Sequence, residues 1–251
     1  MTVYFIGAGP GDPELITVKG QRLIRACPVI LYAGSLVPPA VLEGHNAERV
    51  VNTAELNLEE IVALLAQVHA EGKDVARVHS GDPSLYGAIG EQIRQLRELD
   101  VPYEIIPGVT ATSACAAILG CELTLPDISQ TLILTRYASK TRMPEGESLA
   151  ELAQHRATLA IHLGVGQLES IVAELLPHYG ADCPIAVIHR ASWPDQDQVT
   201  GTLGDILPKA AAKGFRRTAL ILVGKVLGAE GFADSSLYSA GHAHLYRGGS
   251  L

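Results

Sequence analysis

A short apolar run, residues 3–6, ends abruptly in Gly7-Ala8-Gly9-Pro10-Gly11-Asp12-Pro13, where every second position up to the Asp-Pro pair is glycine. The run has the length and composition of a strand, and it lies almost at the first residue, so the sequence opens inside a sheet. Glycine permits backbone angles closed to other residues and lets a second backbone or a ligand come close. Asp12 before Pro13 reads as a helix cap followed by a helical first position. The loop therefore carries the chain from strand into helix, which is the start of a β-α unit.

Two nucleotide-binding readings fail on spacing. A dinucleotide fingerprint needs G-x-G-x-x-G opening a helix, with an acid at the end of the next strand. Here the spacing is G-x-G-x-G with Pro10 inside it, and the next apolar run, residues 29–32, ends in Ala33-Gly34 with no carboxylate. A phosphate loop needs Gly-Lys-Ser/Thr, and none follows. Two readings of the loop stay open: a turn joining strand to helix, or a backbone surface that meets a ligand.

Strand-like runs at residues 29–32, 49–52, 74–79 and 101–106 alternate with helical patterns at residues 18–26, 58–71 and 89–99. Thr17 stands as the cap of the first helix, and Leu58, Ile61, Val62, Leu64, Leu65 and Val68 follow a helical period in the second. This alternation predicts a mostly parallel sheet with helices on both faces. Pro107-Gly108-Val109-Thr110 interrupts it before a helix of small residues at 111–119. From about Asp127 the rhythm changes. Strands are expected at residues 131–135, 158–163, 185–189, 198–203 and 219–223, with helices at 148–155, 168–176 and 205–213, giving a second and mixed sheet. The expected organisation is an N-terminal α/β domain over residues 1–112, a linker region over 113–127, a C-terminal α/β domain over 128–230 and a tail over 231–251. A chain of 251 residues with 47% hydrophobic content supplies two cores, and an aromatic content of 5% leaves their packing to Ala, Leu, Ile and Val.

The formal net charge of -8 argues against a protein that seeks nucleic acid or an anionic membrane. Basic residues still collect locally: Arg136, Lys140 and Arg142 share one loop, Arg190 follows a strand, and Arg216-Arg217 precede one. They read either as a local anion site or as solvated surface. Cys27, Cys115, Cys121 and Cys183 form no C-x-x-C pair, no apolar run approaches bilayer length, and no signal peptide stands at the N-terminus. A reduced, cytoplasmic protein is the expectation. His79, His162 and His189 lie at strand ends, where an imidazole packs, caps or faces a cleft. No H-E-x-x-H, two-histidine carboxylate cluster or G-x-S-x-G elbow occurs, so neither a metal site nor a hydrolase triad is expected.

Ligands of open α/β sheets bind outside the carboxyl ends of the strands. Residues 7–12, 80–87, 107–110, 162–166 and 191–196 all follow expected strands, and each combines glycine or proline with polar groups. Gly81-Asp82-Pro83 repeats Gly11-Asp12-Pro13, so Asp82 also reads as a cap.

Taken together, these loops resemble the tetrapyrrole methylases. The resemblance is carried by Gly-Ala-Gly-Pro-Gly-Asp-Pro-Glu-Leu-Ile-Thr from Gly7, Ser-Gly-Asp-Pro-Ser-Leu-Tyr-Gly from Ser80 and Pro-Gly-Val-Thr-Ala from Pro107, in the family's order and spacing. It implies an α/β protein of two domains, each a sheet flanked by helices, with the active-site cleft between them. It implies S-adenosyl-L-methionine as methyl donor and S-adenosyl-L-homocysteine as product. Residues 134–145, Ile161-His162-Leu163 and residues 189–196 resemble the branch of the family that methylates C11 of precorrin-4, giving precorrin-5 in the corrin-ring construction of cobalamin biosynthesis. The partners implied are a small tetrapyrrole and a second copy of the chain, with no nucleic acid and no membrane.

Carried over motif by motif, the cofactor contacts implied are Pro10, Ser80, Gly81, Asp82, Leu85, Thr110, Ala111, Leu163, Ala191, Thr218 and Ala219. Leu163 stands where relatives often carry methionine. The substrate contacts implied are Gly7, Gly9 and Gly11, bordering a tetrapyrrole trough, and Arg136, Lys140, Arg142 and Arg190, pairing with ring carboxylates. Asp12, Tyr86 and Tyr137 are candidates to position the substrate or move a proton. Competing readings are a methylase of the same fold acting on uroporphyrinogen III or another precorrin, an RNA or translation-factor methylase, and a non-catalytic ligand-binding module.

Overall fold

The computed structural model describes residues 1–138 and 141–235. They form two compact units, one made of Met1–Ala114 with Arg190–Gln196, the other of Cys115–His189 with the residues from Asp197 on. In the first unit, β1 (Val3–Gly7), β2 (Val29–Tyr32), β3 (Arg49–Asn52), β4 (Val75–His79) and β5 (Tyr103–Ile106) lie in the order β3-β2-β4-β1-β5. Every pairing is parallel, so the sheet is of the kind the β-α alternation predicts. Its carboxyl ends share one edge, with Gly7 opposite His79 and Ile6 opposite Ile106.

The strand period of two divides the apolar residues between the faces. Val3, Phe5, Val29, Leu31 and Val75 pack with Ile61, Leu65 and Val68 of α2 (Leu58–Ala70) and Leu96 of α3 (Gly90–Glu98). Ile6, Ile30, Ala76 and Val78 pack with Ile24 of α1 (Val18–Ala26). Thr17 caps α1, and an Asn57/Glu60 capping box starts α2. Asp12 does act as a cap, but of a single 3-10 turn, Pro13–Leu15, and not of α1. Strand β5 starts later than its apolar run because the Val101 N–H closes the end of α3 on the Leu96 carbonyl and Pro102 has no N–H to give.

α4 (Ala111–Leu119) leads into the second unit, where β6 (Leu132–Arg136), β7 (Thr158–His162), β8 (Pro184–His189), β9 (Asp197–Thr202) and β10 (Ala219–Val223) take the order β6-β7-β10-β8-β9. Only β6 and β7 run parallel, which gives the mixed sheet expected. The register places Arg136 beside His162, and His189 beside both Asp197 and Ala219, at one edge of the sheet. α5 (Leu149–Ala153), α6 (Leu168–Tyr179) and α7 (Ile206–Lys213) bury Leu149, Ile171, Leu175 and Ile206 with Leu159, Ile161, Ile185, Val187, Ile221 and Val223. No helix among the described residues is long and apolar enough to cross a membrane. Lys140 and the tail from residue 236 on lie outside the described residues.

Candidate active site

Three of the motif loops of the first unit are joined backbone to backbone. Gly9 and Gly81 form a two-way bridge, Gly81 N–H to the Gly9 carbonyl at 2.8 Å and Gly9 N–H to the Gly81 carbonyl at 3.2 Å. A Cβ on Gly7 would lie 2.6 Å from Gly108 Cα and 2.6 Å from the Gly81 oxygen. Asp82 completes the junction: its Oδ2 accepts the Gly108 N–H at 3.0 Å while Oδ1 accepts the Ser84 N–H at 2.8 Å and the Ser84 hydroxyl. Burial raises the pKa of this carboxyl, but the Ser84 hydroxyl and the Gly108 and Ser84 N–H groups outweigh it and hold the pKa below the usual carboxylate value. Asp82 is thus more than the local cap its sequence suggests, because it ties the loop after β4 to the loop after β5. Thr110 then opens α4, its hydroxyl accepting the Ser113 N–H at 3.2 Å.

The β8–β9 connection supplies the fourth member of this cluster. The Trp193 indole N–H donates to the Pro10 carbonyl at 2.8 Å, and a Cβ on Gly11 would lie 2.9 Å from Trp193 Cγ. The Asp12 N–H donates to the Ser192 hydroxyl at 2.9 Å, and Asp12 Oδ1 accepts the Glu14 N–H. Arg190 stacks 4.0 Å above the indole and pairs with Asp195 at 2.8 Å. The structure therefore gives each glycine of the opening loop a packing reason: Gly7 meets Gly108, Gly9 has φ +77° beside the Leu15 carbonyl, and Gly11 lies under Trp193.

In the second unit the Tyr137 hydroxyl donates to Glu174 Oε1 at 2.5 Å, and burial first, then Glu174, raises its pKa. The Arg136 guanidinium is engaged by the Thr141 and Arg142 carbonyls at 3.1 and 3.0 Å. Leu163 is 65% exposed and has φ +55°, a left-handed conformation that bulky residues avoid. Tyr86, Arg190, Ser192 and Thr218 share that conformation, and all stand in loops that begin or end at the two sheet edges described above. Such backbone persists only where the surroundings impose it, and it concentrates at functional sites. Among the described residues no group of three or more His, Cys, Asp and Glu is placed to hold a metal ion.

Two buried polar residues beneath the loop after β4 went unmarked in the sequence reading, Arg77 and Gln92. Both are 4% exposed, and Arg77 Nε donates to Gln92 Oε1 at 3.1 Å. The available signal was a lone arginine inside the otherwise apolar run that ends at His79. His79 is itself buried, and desolvation, then the Arg77 charge, lower its pKa to about 3 against a hydrogen bond with the Gly87 backbone. Burial lowers His162 to about 4.

These two imidazoles set a pH dependence. Their folded pKa values lie below the unfolded value of about 6.5, so the unfolded chain binds more protons between that value and 4. Stability is full above pH ~6.5 and declines as pH falls, by up to about 1.4 kcal/mol per pH unit for each histidine. The urea midpoint is expected to fall steadily from pH 6.5 to 4.5, and His79→Gln is expected to flatten that slope. A level profile across this range would count against neutral, buried imidazoles.

The family model described as Tetrapyrrole (Corrin/Porphyrin) Methylases matches residues 2–207. The chain is 82% identical over 249 residues to the Precorrin-4 C(11)-methyltransferase of Pseudomonas aeruginosa, covering 99% of this chain and 100% of that one. It is 49% identical over 248 residues to the Cobalt-precorrin-4 C(11)-methyltransferase of Methanocaldococcus jannaschii, covering 98% and 95%. Among solved structures it is similar to a cobalt precorrin-4 methyltransferase described as a cobalamin biosynthetic enzyme, with TM-score 0.87, 42% identity and coverage of 90% and 95%. The uroporphyrin-III C-methyl transferase of Thermus thermophilus, solved in complex with S-adenyl homocysteine, matches with TM-score 0.74, 32% identity and coverage of 91% and 99%.

Proposed function

The chain belongs to the tetrapyrrole (corrin/porphyrin) methylase family, and from that premise we propose that it moves the methyl group of S-adenosyl-L-methionine to C11 of precorrin-4, giving precorrin-5 in cobalamin biosynthesis. The observation that carries this reading is the 82% identity over nearly the whole of both chains. A cytoplasmic homodimer with no nucleic-acid partner is part of the same proposal.

What supports a donor site here is residue size and backbone conformation. Ser80, Gly81, Asp82, Thr110, Ala111 and Ala191 of the first unit are small or tightly held, and in the second Leu163 and Thr218 have left-handed backbone, with Ala219 following Thr218. We assign these, with Pro10 and Leu85, to the donor. Bound there, S-adenosylmethionine supplies a methyl group already activated on positive sulfur. The ring carbon is the nucleophile, so the chain needs no covalent residue, and its task is to align two reactants. Arg136, Lys140, Arg142 and Arg190 are proposed to meet the ring carboxylates, and Gly7, Gly9 and Gly11 to border the ring. Asp12, Tyr86 and Tyr137 stay as candidates for positioning or proton movement. Because the Tyr137 hydroxyl is already engaged in donating to Glu174, Tyr137→Phe is expected to lower turnover by less than about tenfold, whereas a loss of about 100-fold or more would mark a general acid or base.

The deciding experiment is incubation with labelled S-adenosylmethionine and precorrin-4, with NMR location of the new methyl. Label at C11 is the expected result. Label at another ring position, or turnover only of uroporphyrinogen III or of the cobalt-bearing ring, would replace the substrate named here. No transfer to any of them, with the donor still bound, would favour a binding module.

A further inference from the structure

We propose that Arg77 is a positioning residue: from inside the first sheet, and through Gln92, it sets the Tyr86–Ala88 turn and so the affinity of the preceding loop for the methyl donor. The inference rests on the assignment of Ser80, Gly81, Asp82 and Leu85 to that donor. Arg77 sits in the middle of β4, the central strand of an all-parallel sheet, flanked in register by Phe5 and Leu31 on an apolar face. It is 4% exposed, and among the described residues no carboxylate pairs with it. An arginine buried without a counter-charge is expensive, because its desolvation is not repaid by a partner charge. Core packing therefore does not account for it.

Arg77 Nη1 reaches the Leu31 carbonyl of β2 only at 3.5 Å, and its shorter hydrogen bond leads toward the loop after β4. Nε donates to Gln92 Oε1 at 3.1 Å, and Gln92 Nε2 donates to the Ala88 carbonyl at 3.0 Å. Two residues along the same face, His79 bonds the Gly87 backbone, while its Nε2 is buried without a partner. Consecutive peptide groups of the turn are thus held from beneath. Tyr86 and Ala88 have φ of +56° and +50°, which no side chain adopts unless its surroundings require it. A Cβ on Gly87 would lie 2.9 Å from Pro83 C and 3.0 Å from Pro83 Cα, so the turn closes on the start of its own loop. Fixing Ala88 therefore fixes Pro83 to Leu85 from the far side, while Asp82 fixes the near side through Gly108. Arg77 itself is the inner end of this chain of contacts.

The test measures two quantities on Arg77→Met, a side chain of similar length without charge. Calorimetric titration with S-adenosyl-L-homocysteine gives the Kd, and thermal unfolding gives Tm. The expected result is a Tm equal to or above the parent's with a Kd raised about tenfold. Gln92→Met is expected to raise Kd to a similar degree, and the double variant to be no worse than the poorer single one, because the two act in series. If Arg77→Met does not fold, Gln92→Met decides alone. Variants that bind with the parent's Kd would overturn the positioning role while leaving the function intact. A parent that binds no S-adenosylhomocysteine would instead remove the functional reading, and the positioning role with it.

Discussion

Gly108→Ala is expected to destabilise the first unit by about 3 kcal/mol and to lower the thermal midpoint by roughly 6–12 °C. The new methyl would overlap the Gly81 carbonyl oxygen and lie 2.8 Å from Gly7 Cα and 3.0 Å from Gly7 C. All of these are backbone atoms at the ends of β1, β4 and β5, so no side chain can rotate away. Relief requires the loops to part, which would also stretch the Gly108 to Asp82 hydrogen bond. Gly81→Ala is the control. Its φ is +63°, but the nearest atom to its Cβ is the Val109 oxygen at 4.0 Å, so only the left-handed penalty of about 1 kcal/mol applies. Thermal melts of the two variants decide the matter, and equal losses would mean that the junction yields more easily than its geometry implies.

Trp193→Ala is expected to cost about 3 kcal/mol, by removing a large ring from Gly11, the hydrogen bond to Pro10 and the stacking of Arg190 together. Trp193→Phe keeps the ring and loses the N–H, so about 1 kcal/mol is expected. The sharper measurement is a double-mutant cycle with Gly11→Ala. With tryptophan present the alanine methyl would stand 2.5 Å from Nε1, which forces either loop to move. In the Trp193→Ala background that overlap is gone, and Gly11→Ala is expected to be nearly neutral. A coupling of about 2 kcal/mol would follow from direct contact, whereas additive losses would place the two effects elsewhere.

Much of the architecture was legible in residue order. The β-α alternation required a parallel sheet, Thr17 marked the start of the first helix and the apolar period from Leu58 to Val68 marked the second, and the altered rhythm after Asp127 required a second, mixed sheet. The site was legible only as a set of loops, because glycine and Asp-Pro have strong local signatures while the partner of each glycine is distant in the chain. Arg77 was hidden for the same reason. One charge in an apolar strand does not say that Gln92, on a helix, will receive it.

The sequence by itself determined that Gly7, Gly9 and Gly11 follow a strand, that the spacing suits neither a dinucleotide nor a phosphate loop, and that the motifs stand in the order of a tetrapyrrole methylase. These follow from local backbone preference and from order along the chain. Only the tertiary structure decided why those glycines cannot carry side chains. Gly7 is closed by Gly108, Gly9 by the Leu15 carbonyl and its bridge to Gly81, and Gly11 by Trp193. Excluded volume acts between atoms that meet in space: Gly7 meets Gly108, and Gly9 its bridge to Gly81, only after parallel strands have brought their carboxyl ends to one edge, and Gly11 meets Trp193, which lies far along the chain.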